Sequence, residues 1–381
     1  MDFRLTDEQT LISETVREFA EAEIRPHVRE WDELQGFPAE LYAKMGELGL
    51  MGVMVPEEYG GVGLGPLELS TVIEELGRVD PAVALAIAAH NGLCVGHISV
   101  AATDEQKRRF FPKLATGEWI GCWGLTEAQA GSDAAGTQTR AEWSEERGGW
   151  VLNGAKTFNT NGARAHVAVV VAVTSPGRGT KGISAFIVEA DTPGYRVGRK
   201  EDKLGMRASD TVELILEDCL VPAENMLGER DLGFVDALKV LDRGRISIGA
   251  LSVGIAQGAL EASLEYARQR QQFGKPIASF EAIRVKLARM AAATRTARAL
   301  VYRAAKLRER GESFKLAASV GKLYASEVGM RVAEEAVQIF GGYGYVKDYP
   351  VEKFFRDAKL CTIGEGTSEI QRLVISRQFL A

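Results

Sequence analysis

Apolar positions at the start of the chain recur every three to four residues. Leu11, Ile12, Val16, Phe19 and Ile24 follow Thr6 and Gln9, which stand at capping-box spacing, so an amphipathic helix ending by Pro26 is predicted. Helical patterning dominates to about residue 118. From Trp150 the period becomes that of strands. Val151-Leu152, an Asn153-Gly154 pair read as a turn, apolar runs at 167–173 and 183–188, and Val212, Leu214 and Leu216 alternating with Glu213 and Ile215 predict a middle β domain. After Pro222 and a loop at 228–233 the helices return. Ile283, Leu287, Met290, Thr294, Ala297, Val301 and Ala304 keep a 4-3-4-3-4-3 spacing, the seam of a helical bundle.

Helices, then strands, then helices, with no βαβα alternation, predict an α+β multidomain chain and exclude a doubly wound nucleotide-binding sheet. The domains are drawn at 1–120 (all-α), 121–230 (β) and 231–381 (helical). One segment imitates a dinucleotide loop, Gly61-Val62-Gly63-Leu64-Gly65-Pro66. Pro66 stands where the third glycine belongs and no second strand follows, so it reads as a turn before a helix at 68–76.

Composition narrows the function. With 381 residues, 46% hydrophobic and 26% charged, the chain can bury a large core shared by two or three domains. A net charge of -6, without any run of five basic residues, argues against a nucleic-acid partner. Cys94, Cys122, Cys219 and Cys361 form no C-x-x-C pair, which reads as free thiols in a reducing compartment and no structural zinc. The first ten residues lack a basic and an apolar targeting region, and no stretch approaches about 18 consecutive apolar residues, so a cytoplasmic protein with no membrane span is expected. The apolar segment 82–89, followed by His90 and Asn91, reads as a buried helix. The four histidines, His27, His90, His97 and His166, all lie in the first half, so chemistry in the second half needs another base.

The loop Gly124-Leu125-Thr126-Glu127-Ala128-Gln129-Ala130-Gly131-Ser132-Asp133 mixes glycines with hydroxyls and could offer donors to a phosphate or a flavin ring, although composition alone equally allows an ordinary polar turn. Together with Gln338-x-x-Gly341-Gly342-x-Gly344-Tyr345-x-x-Asp348, followed by Lys353 and Asp357, it resembles the paired signatures of the acyl-CoA dehydrogenase family. The resemblance runs almost the whole length. It takes in Asn153-Gly154-x-Lys156 with Thr160-Asn161-Gly162, Leu204-Gly205-Met206-Arg207-x-Ser209, Val221-Pro222-x-x-Asn225, Arg270-x-x-Phe273-Gly274 and Glu365-Gly366-Thr367-Ser368-Glu369-Ile370-Gln371. It implies an N-terminal all-α domain, a middle β-barrel and a C-terminal four-helix bundle, assembled as a homotetramer, with FAD between the last two. The implied reaction is α,β-dehydrogenation of a fatty acyl-CoA to the trans-2-enoyl-CoA, with electrons passed to an electron transfer flavoprotein.

Such a reaction needs a base for the α-proton, a stabiliser for the enolate and an oriented flavin. The resemblance makes Glu365 the base; the residues alone also allow an acid at the N-terminus of the next helix, where Ser368 and Gln371 have capping-box spacing. Some relatives carry the base on the helix that here holds Asp242-Arg243-Gly244-Arg245, but the matching position is Gly244. An apolar pocket would raise the Glu365 pKa towards neutrality. The enolate oxygen would be held by the Glu365 amide and a flavin ribityl hydroxyl.

By the same carry-over, Leu125, Thr126, Ser132, Phe158 and Thr160 contact the flavin, and Arg270, Phe273, Gln338, Gly341 and Gly342 reach the dinucleotide, partly from a neighbouring subunit, while Thr367 and Glu369 close over it. Arg270 would face the pyrophosphate, or is simply a solvated helix-end arginine. Phe158-Asn159-Thr160 departs from the more usual aromatic-Ile-Thr run, leaving the place of the Asn159 amide open. Ser132, Asp242, Arg245 and Gly366 match CoA and acyl-carbonyl positions, although Asp242 and Arg245 could be an i,i+3 surface pair. Val83-Ala84-Leu85-Ala86-Ile87 would line an apolar tail pocket, with Ala84 where glutaryl-CoA members have an arginine, and the Gly244 pattern groups with short-chain and short-branched-chain members. No metal site is expected. The competing readings are a same-fold acyl-CoA oxidase or flavin monooxygenase, and a catalytically silent scaffold.

Overall fold

The structure, a computed structural model, describes residues 5–380. Among the described residues seven α-helices come first: α1 Asp7–Phe19, α2 Val28–Leu34, α3 Glu40–Glu47, α4 Pro66–Val79, α5 Pro81–Ala88, α6 Val95–Ala101 and α7 Asp104–Ala115. The Thr6–Gln9 capping box closes in both directions, at 3.2 and 3.1 Å. A π turn at Ala20–Ile24 and a 3-10 turn at Arg25–His27, holding Pro26, end that helix. Val16 and Ile24 face the core, but Leu11 is 63% exposed; it sits on the face opposite Gln9 and Val16 and does not belong to the apolar stripe.

Eight strands follow: β1 Gly121–Gly124, β2 Arg140–Ser144, β3 Gly149–Thr160, β4 Val167–Val173, β5 Ile183–Glu189, β6 Tyr195–Lys200, β7 Thr211–Pro222 and β8 Met226–Leu227. The sheet runs β6-β7-β3-β2-β4-β5-β8, with β1 parallel to β4, and curls around its own core. Val167, Val169 and Val171 join a cluster with Phe110, Phe111 and Leu114 of α7, whereas Ala168, Val170 and Ala172 join Leu152, Leu214 and Leu216 inside. Both faces of β4 are therefore covered, so its sequence is a continuous apolar run. Asn153-Gly154 is not a turn. β3 continues through it with a register shift against β7, and a Cβ at Gly154 would lie 2.5 Å from Thr139 Oγ1. The pair forms a β-bulge, which calls for the same glycine as a tight turn.

The C-terminal part is α8 Gly233–Gln269, α9 Glu281–Glu309, α10 Lys315–Phe340, α11 Val351–Cys361 and α12 Ser368–Leu380. The predicted seam of α9 is buried at Leu287, Met290, Thr294, Ala297, Val301 and Ala304. Glycines set how closely α8 meets α4: a Cβ at Gly254 or Gly258 would fall 2.5 Å from Glu74 O or 2.3 Å from Arg78 O. Pro81–Ala101 and Gly233–Gln269 are, by length and composition, apolar enough to cross a membrane, although polar residues such as His90, Asn91 and His97 interrupt the first and Asp236, Asp242 and Arg245 the second. In each, 83% of the most apolar window is buried inside the protein, so both are core helices. All four cysteines are free and buried.

One buried cluster ties the three regions together. Lys353 Nζ lies 2.8 Å from Asp80 Oδ1 and 2.7 Å from Asp357 Oδ2, and Asp357 Oδ1 accepts the Met206 amide. The two carboxylates hold Lys353 protonated against the penalty of its burial.

Candidate functional site

Glu365 occupies the turn between α11 and α12 with φ 53°, a left-handed conformation costly for a residue with a Cβ, and Gly366 follows at φ 96°. Hydrogen bonds hold the turn: Gln371 Nε2 donates to Glu365 O at 3.2 Å and to Gly366 O at 3.1 Å, and Lys322 Nζ donates to Gly366 O at 2.7 Å. The residue as a whole is half-buried, but its Oε2 is fully enclosed without a hydrogen-bond partner among the described residues. That oxygen fits against Gly244 of α8, where a Cβ would stand 1.9 Å from it. Burial pushes the carboxyl up to about 7, with Lys322 and Arg245 opposing. An unpartnered carboxylate near neutrality can take a proton from an adjacent carbon acid.

The capping alternative fails on geometry. Thr367 Oγ1, not Ser368, accepts the Ile370 amide at 3.3 Å, and Gln371 Nε2 donates to the Glu365 and Gly366 carbonyls while its Oε1 accepts no amide among the described residues. Beside Glu365, Arg245 makes an ion pair with Asp242 and reaches Ser319 Oγ at 3.4 Å, while its Nε is buried and unpartnered. Their side chains are 7% and 18% exposed, so the pair is enclosed and not on the surface.

A second group surrounds the loop after β1. Lys156 Nζ meets Glu127 Oε1 at 2.6 Å with both side chains inside the protein, and also donates to Leu125 O and Thr137 Oγ1. Burial disfavours the Glu127 charge, but Lys156 and the Thr137 and Thr139 hydroxyls outweigh it and pull the carboxyl down to about 2. Burial lowers the Lys156 ammonium to about 8, with Glu127 opposing. Thr157 N donates to Thr126 O at 2.8 Å, so Leu125 and Thr126 are pinned beside β3. Asn159 turns inward, its Nδ2 donating to Lys156 O and Val212 O at 2.9 Å each. The resulting bulge puts Phe158 at φ 59° with its ring 65% exposed. Thr160 is half-buried and Ser132 exposed.

A third group lies at the far end of α8. The Arg270 guanidinium stacks over Tyr343 at 5.3 Å and lines a cleft of about 690 Å³ with Gly341 and Gly342. Neither glycine has an atom within 4 Å of where a Cβ would be. Phe273, at φ 51° on the tip of a two-stranded hairpin, is 93% exposed; Gln338 and Glu369 are exposed and Thr367 half-buried. Another cleft, about 590 Å³ between Trp31 and Arg164, contains none of the predicted residues.

An outward aromatic ring, a pinned loop of backbone and hydroxyl groups, and a cation beside an open glycine floor fit the ring and pyrophosphate of FAD. Sequence reasoning missed Lys322 and the clamping role of Glu127 and Lys156. The signal for Lys322 was a lysine on the stripe Ala318, Ser319, Ala325 and Ser326, all buried small residues.

The chain matches the acyl-CoA dehydrogenase N-terminal domain over 6–118, the middle domain over 122–219 and the C-terminal domain over 231–380. It is 47% identical over 376 residues to the short-chain specific acyl-CoA dehydrogenase of Clostridium acetobutylicum, covering 99% of each. Butyryl-CoA dehydrogenase from Megasphaera elsdenii superposes with a TM-score of 0.98 at 44% identity, covering 100% of both chains. A chain in the structure of the electron transferring flavoprotein of Acidaminococcus fermentans gives 0.98 at 45%, again over 100% of both. With all three of its regions so matched, the chain belongs to the acyl-CoA dehydrogenase family, the FAD-dependent enzymes that dehydrogenate acyl-CoA thioesters.

Proposed function

We propose that Glu365 removes the α-proton of a short-chain acyl-CoA, and that the observation carrying this reading is its enclosed, unpartnered Oε2, fitted against Gly244 with a pKa near 7. FAD, when bound, supplies the acceptor for the β-hydride. Asp242, Arg245, Gly366 and Ser132 take the thioester and CoA side, and the Glu365 amide meets the developing enolate oxygen. Leu125, Thr126, Ser132, Phe158 and Thr160 hold the flavin ring and ribityl chain, and Thr367 and Glu369 cover it. Arg270, Phe273, Gln338, Gly341 and Gly342 hold the dinucleotide.

The exposure of Phe158 and Phe273 supports a cofactor shared between subunits of a homotetramer. Similarity to the chain solved with the Acidaminococcus flavoprotein supports an electron transfer flavoprotein as acceptor, and similarity to the butyryl-CoA enzyme supports a short acyl chain. Domains at 1–120, 121–230 and 231–381 and a cytoplasmic location complete the reading. Anaerobic titration with butyryl-, octanoyl- and isobutyryl-CoA tests it. Flavin bleaching by one chain class, lost in Glu365→Gln while the protein stays yellow, is the expected outcome. Normal bleaching in Glu365→Gln removes the assignment.

A further inference from the structure

Lys322 is a lysine with no exposed surface. It lies on α10 among Ala318, Ser319, Ala325 and Ser326, and its only hydrogen bond among the described residues is the one to Gly366 O at 2.7 Å. Among the described residues it enters no ion pair within 4 Å, so its charge is enclosed there without a direct counterion. Burying an ammonium in this way is costly, and a lysine kept there needs a reason beyond packing.

Its position supplies one. Gly366 O belongs to the residue directly after Glu365, and both residues hold left-handed backbone conformations. Two donors converge on that oxygen, Lys322 from α10 and Gln371 from α12. They fix the backbone next to the carboxylate from two sides. The charged groups acting on Glu365 are Lys322 from α10 and Arg245 from α8, the latter already paired with Asp242. Arg245 opposes the Lys322 charge, while Glu365, Cys361 and Glu369 support it.

We propose that Lys322 is a positioning residue for Glu365: it clamps the Glu365–Gly366 turn through the Gly366 carbonyl, and its charge favours the ionised, proton-accepting carboxylate. The inference rests on Glu365 being the base. Burial lowers Lys322 itself to about 8, so its field weakens in the alkaline range where Glu365 is already ionised.

The test uses FAD-loaded Lys322→Met and Lys322→Gln, with anaerobic stopped-flow reduction of the flavin by butyryl-CoA from pH 5.5 to 9. Methionine matches the stem, and glutamine keeps a donor without the charge, so either folded variant reports the electrostatic effect. The midpoint of the rate profile is expected to rise by about one pH unit in both, lowering the rate at pH 6 about tenfold and restoring much of it at pH 9. Lys322→Arg should return the midpoint towards the wild type. A uniform loss at every pH with an unmoved midpoint overturns the inference. Glu365→Gln run alongside separates the two levels: an active Glu365→Gln removes the base itself, whereas an inactive one with an unmoved Lys322→Met profile removes only the role of Lys322.

Discussion

Replacing Gly244 by alanine separates the stability of the protein from the placement of its carboxylate. The new Cβ would stand 1.9 Å from Glu365 Oε2, whereas ordinary contact begins at 3.4 Å, so the oxygen must retreat about 1.5 Å. Misplacing a reacting group by about 1 Å costs about 100-fold, or about 2.7 kcal/mol in the barrier. Gly244 lies inside α8, where alanine is intrinsically favoured over glycine by about 0.5–1 kcal/mol, so the fold gains what the reaction loses, less any strain in the turn. The expected result in single-turnover reduction by butyryl-CoA is a rate lowered about 100-fold, with FAD content kept and thermal stability held within a degree or two. Reduction within about threefold of the wild type would refute the argument, because the carboxylate would then not need the space that Gly244 leaves.

Two further outcomes follow from buried charge. Lys156→Met strands the Glu127 carboxylate among Thr137 and Thr139, and should destabilise the chain by about 3–5 kcal/mol and loosen flavin retention; an unchanged unfolding midpoint in urea would show that the pair does not anchor the loop. The Glu365 carboxyl is raised in the folded state, so its contribution is fully present below the unfolded value near 4.5 and is lost as pH climbs through 7. Glu365→Gln should therefore match the wild type near pH 4.5 and exceed it by up to about 3 kcal/mol above pH 7, and parallel stability curves would contradict this.

The order of helices, strands and helices was legible because each region keeps one hydrophobic period, and the α9 seam was legible residue by residue. Glu365 could be named as a candidate base from its motif, whereas the enclosure of its Oε2 against Gly244 depends on how α8 packs on the turn. The Asn153-Gly154 bulge was not, since positive φ at the glycine serves a hairpin turn and a bulge alike, and only the distant partner β7 decides between them. The place of the Asn159 amide was open in the sequence, because the two backbone carbonyls that it satisfies inside the bulge come together only once β3 and β7 have paired. Lys322 and Gly366 are 44 residues apart, and nothing local marks a buried lysine as the holder of a distant carbonyl.

The Asp80–Lys353–Asp357 cluster bears on the order in which the chain can fold. Asp80 has no exposed surface, and the lysine beside it lies 273 residues downstream. During synthesis the N-terminal helices emerge first, carrying a carboxylate that native packing would seal away from water with no cation to meet it. That packing stays unfavourable until α11 has left the ribosome and docked. The early helices are thus kept from closing prematurely around a gap that belongs to the C-terminal bundle, and a helix made late completes the core of helices made early.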